Sequence, residues 1–392
     1  MRPGTPGFHG ERLREAREAR GLTAAMLADL IAVTRAAVSQ YESGTQSPAP
    51  HVMQAIARVL NLPVDFFLSP SPVSPANVVF YRSMSSATKR ARTRAERRYG
   101  WLRQVVAFLR GYIQFPAVRF PSFDVPSDPA ALTETTIEEL ASAARRHFRL
   151  GDGPVSNIAW LLENHGAVVT RCDLDAGSLD AFSEWREDEG MPYVILNAAK
   201  ESAARSRFDV AHELGHMVLH RHLPRLPQRE DHHFKLIEHQ ANCFASAFLL
   251  PAEAFRGDIG VVTLDRCVAL KSKWRVSVQA MLMRARQIDA VSEDQEQRLW
   301  INLGRRKWRT REPLDDVLPP ENPKLLAKSI ELLVRENIVD PVDLPRQLRL
   351  AQSDVEELTG LPAGFLGVSE PRIKLLGGGD EHNVIPFDPE TE

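Results

Sequence analysis

At 392 residues the chain is too long for one compact core, so two or three domains are expected. Hydrophobic residues at 43% and charged residues at 26% are those of an ordinary soluble globular protein. A net charge of −2 excludes a global electrostatic pull toward nucleic acid or membrane, so any charged partner must meet a local patch. Three cysteines without a CxxC pair indicate neither a disulfide frame nor a cysteine-type zinc site. The charged first twenty residues lack the apolar stretch of a secretory signal, and no apolar run is long enough to span a bilayer. A cytoplasmic protein without membrane contact is expected.

Residues 9–68 carry five short helical pieces, at 9–20, 23–31, 34–42, 51–60 and 63–68. Gly21 stops the first, and Thr23 and Thr34 stand as N-caps of the second and third. Leu13, Leu22, Leu27, Ala28, Val38, Ile56, Leu60 and Phe67 would form the core. The segments LREAREARGLT, VTRAAVSQYESG and ARVLNLPVDFFL come in the order of the Xre-type, lambda-repressor-like helix-turn-helix family, and the unit resembles that family along its whole length. The resemblance implies that 34–42 enters the major groove of double-stranded operator DNA, with Arg35, Ala36, Ser39 and Gln40 facing bases or phosphates. It also implies nucleoid association. Ala24 or Ala25 stands where the family usually has a DNA-touching Gln. The unit is close to neutral as well, so weak intrinsic affinity is expected.

A proline-rich linker begins at 69, and Pro116, Pro121, Pro126 and Pro129 mark a second break. Between them, 82–111 reads as one amphipathic helix carrying Lys89, Arg90, Arg92, Arg94, Arg97, Arg98 and Arg103. It is either a solvated linker face or a supplementary phosphate contact. From 131 a new domain opens, with helices at 133–149 and 155–165 and Gly166 as C-cap of the second. Strands follow at 167–172, 179–186 and 193–196. The chain is then helical to about 289. Beyond 290 there is a clear helix at 325–337, a weaker one at 352–359, and a Gly-rich acidic end expected to be mobile.

The run Phe208-Asp-Val-Ala-His-Glu-Leu-Gly-His-Met-Val-Leu-His220 contains HExxH. Helical residues four apart share a face, so His212 and His216 can present ring nitrogens to one ion. Glu213, one position on, would reach a bound water as general base. After a polar loop, Glu238 and Asn242 repeat the four-residue spacing on a second helix. Glu238 can complete the metal shell, and Asn242 can orient a ligand histidine from behind. His220 continues the row and could approach the metal, but it reads more readily as a helix-end histidine near solvent. Residues 192–197 read as an edge strand that would pair with an extended substrate through Tyr193 and Ile195.

Together, HELGH and the later E-x-x-A-N-x-F-A…LLxP helix resemble the ImmA/IrrE family of metallopeptidases over roughly 130–290. The resemblance implies a Zn2+ ion (Mn2+ is an alternative) held by His212, His216 and Glu238, and a repressor of the helix-turn-helix class as protein substrate.

The expected fold is multidomain and mainly α. A five-helix unit at 9–68 is followed by a linker and basic helix at 69–130, an α+β zincin-like peptidase domain with a small sheet at 131–290, and a helical region at 291–392. The expected function is a DNA-binding transcriptional regulator with zinc-dependent endopeptidase activity, acting on itself or a partner in a stress, phage or toxin–antitoxin response, as a homodimer. The competing expectation is a non-proteolytic transcription factor or antitoxin whose zinc domain is structural or senses a ligand.

Overall fold

The computed structural model describes residues 4–71, 88–174, 180–199, 202–223, 231–367 and 385–386. The first unit contains α1 (Gly10–Ala19), α2 (Ala24–Leu30), α3 (Arg35–Glu42), α4 (Pro50–Leu60) and α5 (Val64–Phe67). Thr23 and Thr34 cap α2 and α3, their hydroxyls accepting from the backbone N–H of Met26 and Ala37 at 3.2 and 3.1 Å. The anticipated core residues are buried, except Leu22, which packs half-buried against it.

Helix α6 (Lys89–Arg110) starts at Thr88, whose side chain accepts from the Ala91 N–H. It is not the solvated face its charges suggest. Trp101 packs edge-on to Phe66 and donates from Nε1 to Glu15 at 2.8 Å, so α6 is fixed to α1 and α5. Arg97 donates to Glu18. Arg98 and Arg103 are each 3% exposed and donate to Glu357 and Glu189, both at 2.6 Å. Arginine tolerates such burial when its fork is met by carboxylates. The reading of these positions as free phosphate contacts is therefore corrected. Residues 82–87 lie outside the described part.

After β1 (Ile113–Gln114) come α7 (Glu134–His147), capped by Thr133, and α8 (Ile158–Asn164), capped by Asn157. Residues 155–157, expected as helix, remain outside α8 because the Asn157 side chain fixes the start. Gly166 follows its end at φ +88°, with the backbone of Val118 where a Cβ would sit.

The sheet contains β2 (Val168–Cys172), β3 (Ala181–Arg186) and β4 (Met191–Asn197), in the order β2-β4-β3. Strand β4 runs parallel to β2 and antiparallel to β3. The edge-strand reading of 192–197 is thus overturned: β4 is central, and both its backbone edges are paired. Its alternation sends Val194 and Leu196 into one core, and Tyr193 and Ile195 into another with α6 and the first unit. Both faces are covered, which explains the unbroken apolar run. Tyr193 and Ile195, at 0% and 2% exposure, have no access to a substrate. Among the described residues β3 is the strand beside the metal-site helix that keeps one unpaired edge.

Helices α9 (Ala203–Leu219) and α10 (Asp231–Leu249) pack under the second face of the sheet. Gly215 makes this packing close: a Cβ there would meet Ala241 O at 3.1 Å and Phe244 Cβ at 3.3 Å. Phe244 and Phe248 are fully buried on α10, each stabilising by on the order of 2–3 kcal/mol. Around this pair lie α11 (Ala252–Ile259), α12 (Leu264–Trp274), α13 (Val278–Gln287) and α14 (Glu293–Arg305). The stretch 306–324 returns over the start of α9. Buried Lys271 donates to Glu312 and Asp315, and Asp315 accepts from Ser202, the N-cap of α9.

The chain continues through α15 (Leu325–Arg335), α16 (Leu344–Leu348) and α17 (Gln352–Thr359) to β5 (Ile385–Pro386), which pairs with β1. Helix α17 joins the layers. Arg20 of the first unit donates twice to Asp354 at 2.6 Å, and Thr170 of β2 donates to Leu358 O at 2.6 Å. Among the described residues there are 17 α-helices and one three-stranded sheet, a mainly α, multidomain architecture. The Gly-rich end expected to be mobile falls almost entirely outside the described residues. No described helix is long and apolar enough to cross a membrane.

Candidate metal centre

The third and fourth turns of α9 and the middle of α10 bring His212, His216 and Glu238 together, with one donor atom from each within 4.8 Å of the others. The two Nε2 atoms lie 3.0 Å apart. Glu238 reaches His216 Nε2 at 3.2 Å and His212 Nε2 at 3.5 Å. His216 is 2% exposed, while His212 and Glu238 keep 12% and 15%, so the cluster is mostly buried but retains solvent access.

The groups behind the ring nitrogens decide what the Nε2 atoms can do. His212 Nδ1 lies 2.9 Å from Asn242 Oδ1, an acceptor, so His212 carries its proton on Nδ1. On the other ring the chain of bonds is longer. Gln240 donates from Nε2 to Pro129 O at 2.6 Å and Leu132 O at 3.2 Å, which turns its Oε1 toward His220 Nε2 at 3.1 Å. His220 must then donate from Nε2 and accept at Nδ1, where His216 Nδ1 stands 3.0 Å away. His216 is therefore the donor in that contact. Burial pushes His220 down to about 3, so it is neutral and able to accept.

Both Nε2 lone pairs thus converge with a carboxylate on one point. Among the described residues Glu238 Oε1 is buried without a hydrogen bond. Burial alone would lower the His212 pKa, yet Glu238 and Glu213 outweigh it and hold His212 above the usual histidine range. Burial likewise opposes the Glu238 charge, but the two imidazoles hold that carboxylate far below the usual range. The pocket demands positive charge between the three side chains. Two nitrogens and one carboxylate with solvent access make a donor set that fits a Zn2+ ion in a site with room for a water.

Glu213 is 2% exposed and stands outside the ligand cluster. Its Oε2 accepts from Ser183 Oγ of β3 at 2.5 Å. Sequence reasoning missed Ser183, since nothing in the pattern marks it. It also placed His220 as a helix-end residue near solvent or a group approaching the metal. The structure buries it at 1% exposure behind His216. The i, i+4 row His212–His216–His220 was the visible signal, with Gln240 facing it from α10.

On the first unit, Arg35, Ala36, Ser39 and Gln40 all lie exposed on α3. Nearby charges are mostly engaged: Arg17 with Glu42, Arg12 with Glu15 and Arg20 with Asp354.

No curated protein matches the chain at a significant level. Two family models do. Residues 13–67 match the helix-turn-helix model, and residues 162–286 match the IrrE N-terminal-like domain, a peptidase family. The second match spans the sheet, α9 and α10, and so contains the whole metal cluster. The chain therefore joins, in this order, an Xre-like helix-turn-helix domain and an IrrE N-terminal-like metallopeptidase-family domain.

Proposed function

We propose that this protein is a DNA-bound regulator of the cytoplasm and nucleoid that hydrolyses peptide bonds in a repressor-type protein, itself or a partner. His212, His216 and Glu238 would hold a Zn2+ ion, with Mn2+ as an alternative. When bound, that ion would supply Lewis acidity and lower the pKa of a coordinated water toward ~7. Asn242 and the Gln240–His220 pair keep the proton on Nδ1 of each ligand ring, so both Nε2 atoms are available. Glu213 would take the proton of the attacking water and later pass it to the leaving amine, and Ser183 orients its carboxylate. An extended substrate would run along β3, whose unpaired edge lies next to Glu213 through Ser183. This role was first expected of β4.

One observation carries the enzyme reading. Glu213 is a buried carboxylate beside the ligand set that, among the described residues, neither joins it nor forms an ion pair. A purely structural ion needs no such neighbour. The first unit would bring the site to an operator, with α3 presenting Arg35, Ala36, Ser39 and Gln40 to the groove, and a homodimer would fit paired half-sites. We also propose the division into units at 9–68, 69–130, 131–290 and 291–392.

The test is to incubate the zinc-loaded protein with helix-turn-helix repressors encoded beside it and to search for fragments by mass spectrometry. Cleavage should require metal and vanish in Glu213→Gln. Cleavage that survives this variant would remove the catalytic assignment. Absence of any fragment, with zinc bound and operator binding intact, would favour the ligand-sensing alternative.

A further inference from the structure

Helix α10 carries a second set of metal-binding donors next to the first. Glu238 and Asn242 face α9. Each has a neighbour one residue on, His239 and Cys243, and the second pair also stands four residues apart on one face. That face meets the first turn of α7, where Glu134 follows the capping Thr133. His239 Nε2 lies 2.7 Å from Glu134 Oε1 and 3.5 Å from Cys243 Sγ, and the three donor atoms all lie within 4.8 Å of one another. No donor is shared with the His212 cluster.

We infer that Glu134, His239 and Cys243 form a second binding site for a borderline-soft divalent cation of the Zn2+ class. The donor chemistry selects the ion: a sulfur, an imidazole and one carboxylate suit zinc or cobalt and are poor for the all-oxygen preferences of Mg2+ and Ca2+. Spacing agrees as well. A tetrahedral ion with bonds of about 2.0–2.3 Å sets its ligands roughly 3.3–3.8 Å apart. The Cys243–His239 distance already falls in that range, and the Glu134 side chain need only move out by about half an ångström. It is free to do so, being 64% exposed, and His239 at 55% leaves an entry path and space for water in the remaining position.

The sulfur is oriented before any ion arrives. Gln287 donates from Nε2 to Cys243 Sγ at 3.7 Å, and its own Oε1 is fixed by Ser246 at 2.8 Å. Hydrogen bonds of this kind favour a metal-bound thiolate and set its direction. Burial, and next the Glu134 charge, keep the free thiol protonated, its pKa pushed up to about 12. Binding therefore breaks the S–H bond, the proton leaves to water, and the sulfur lone pair binds the ion. The bound ion would tie the face of α10 adjoining that of Glu238 to α7, stiffening the helix that presents Glu238 and Asn242.

Cobalt substitution separates this site from the first, because only this one contains sulfur. Co2+ titrated into the apoprotein should produce a thiolate-to-metal charge-transfer band in the near ultraviolet. Cys243→Ser should abolish it, while bound zinc falls from about two ions per chain to about one. The double variant His212→Ala, His216→Ala should retain the band. The band depends on none of the proposed peptidase groups, so it can fail without that reading failing, and the reverse. No band in the wild-type protein, or a band that persists in Cys243→Ser, would overturn the assignment. The wild-type result stands even if the variant is unstable.

Discussion

His216 and His220 face each other Nδ1 to Nδ1 at 3.0 Å, and only one of the two can hold the shared proton. Gln240 decides which, because two backbone carbonyls fix its amide and aim its oxygen at His220. The consequence is a lone pair on His216 Nε2 that points at Glu238. Replacing Gln240 with Met keeps the volume and removes this direction. We expect Gln240→Met to lower zinc affinity about 10- to 100-fold in competition with a chelator, with the apoprotein's circular dichroism retained. Wild-type affinity in this variant would show that Gln240 does not set the state of His216.

Ser183 donates to Glu213 and, among the described residues, hydrogen-bonds to no metal ligand. Ser183→Ala should therefore slow peptide cleavage by about tenfold while zinc content and KM remain unchanged. If bound zinc falls along with activity, Ser183 supports the ligand set rather than the base.

The arginines divide into two kinds. Arg35 is exposed on α3, whereas Arg98 is buried against Glu357 and Asp354. Arg35→Ala should weaken operator binding and reduce the slope of log affinity against log salt by about 1. Arg98→Ala should leave that slope alone and cost about 1.5–3 kcal/mol in denaturant unfolding, since Glu357 loses its charged partner while Asp354 keeps Arg20. A reduced slope in Arg98→Ala would restore α6 as a DNA contact.

Stability should also depend on pH through Glu163. Burial raises its pKa to about 7, outweighing the backbone N–H groups of Lys324 and Leu325 at the start of α15, which donate to the carboxylate and lower it. The folded chain thus holds this proton more tightly than the unfolded chain. The stabilisation is complete below the ordinary carboxylate value of 4.5 and is lost as pH rises through about 7. Wild-type unfolding free energy should fall by about 2–3 kcal/mol more than that of Glu163→Gln across this window. Parallel pH profiles for the two proteins would contradict this.

Much of the arrangement was legible in sequence because it is local. Thr23 and Thr34 mark helix starts through a hydroxyl three residues before the N–H it accepts, and the four-residue spacing within α9 and within α10 sets which side chains share a face. That the two helices meet at Gly215 is a tertiary fact, visible only as a small residue inside HELGH. The sheet order was not legible. An unbroken apolar strand reads alike at an edge or in the centre, and β4 is central because Val168 of β2 pairs with Tyr193 on one side and Phe182 of β3 pairs with Ile195 on the other. The charges of α6 misled for a similar reason: composition shows Arg98 and Arg103, but their carboxylate partners come from 86 to 259 residues away. Helix α14 buries only Leu303, so it has little apolar rhythm, and its capping box at Ser292 and Gln295 was the one readable trace.

Crystals of the zinc-soaked protein measured on both sides of the zinc absorption edge test the central claim directly. The account predicts an anomalous peak about 2.0–2.2 Å from His212 Nε2, His216 Nε2 and a Glu238 oxygen, with Glu213 near it but not bound. A bound ion that leaves Glu238 uncoordinated, or no ion between the two imidazoles at saturating zinc, would contradict it.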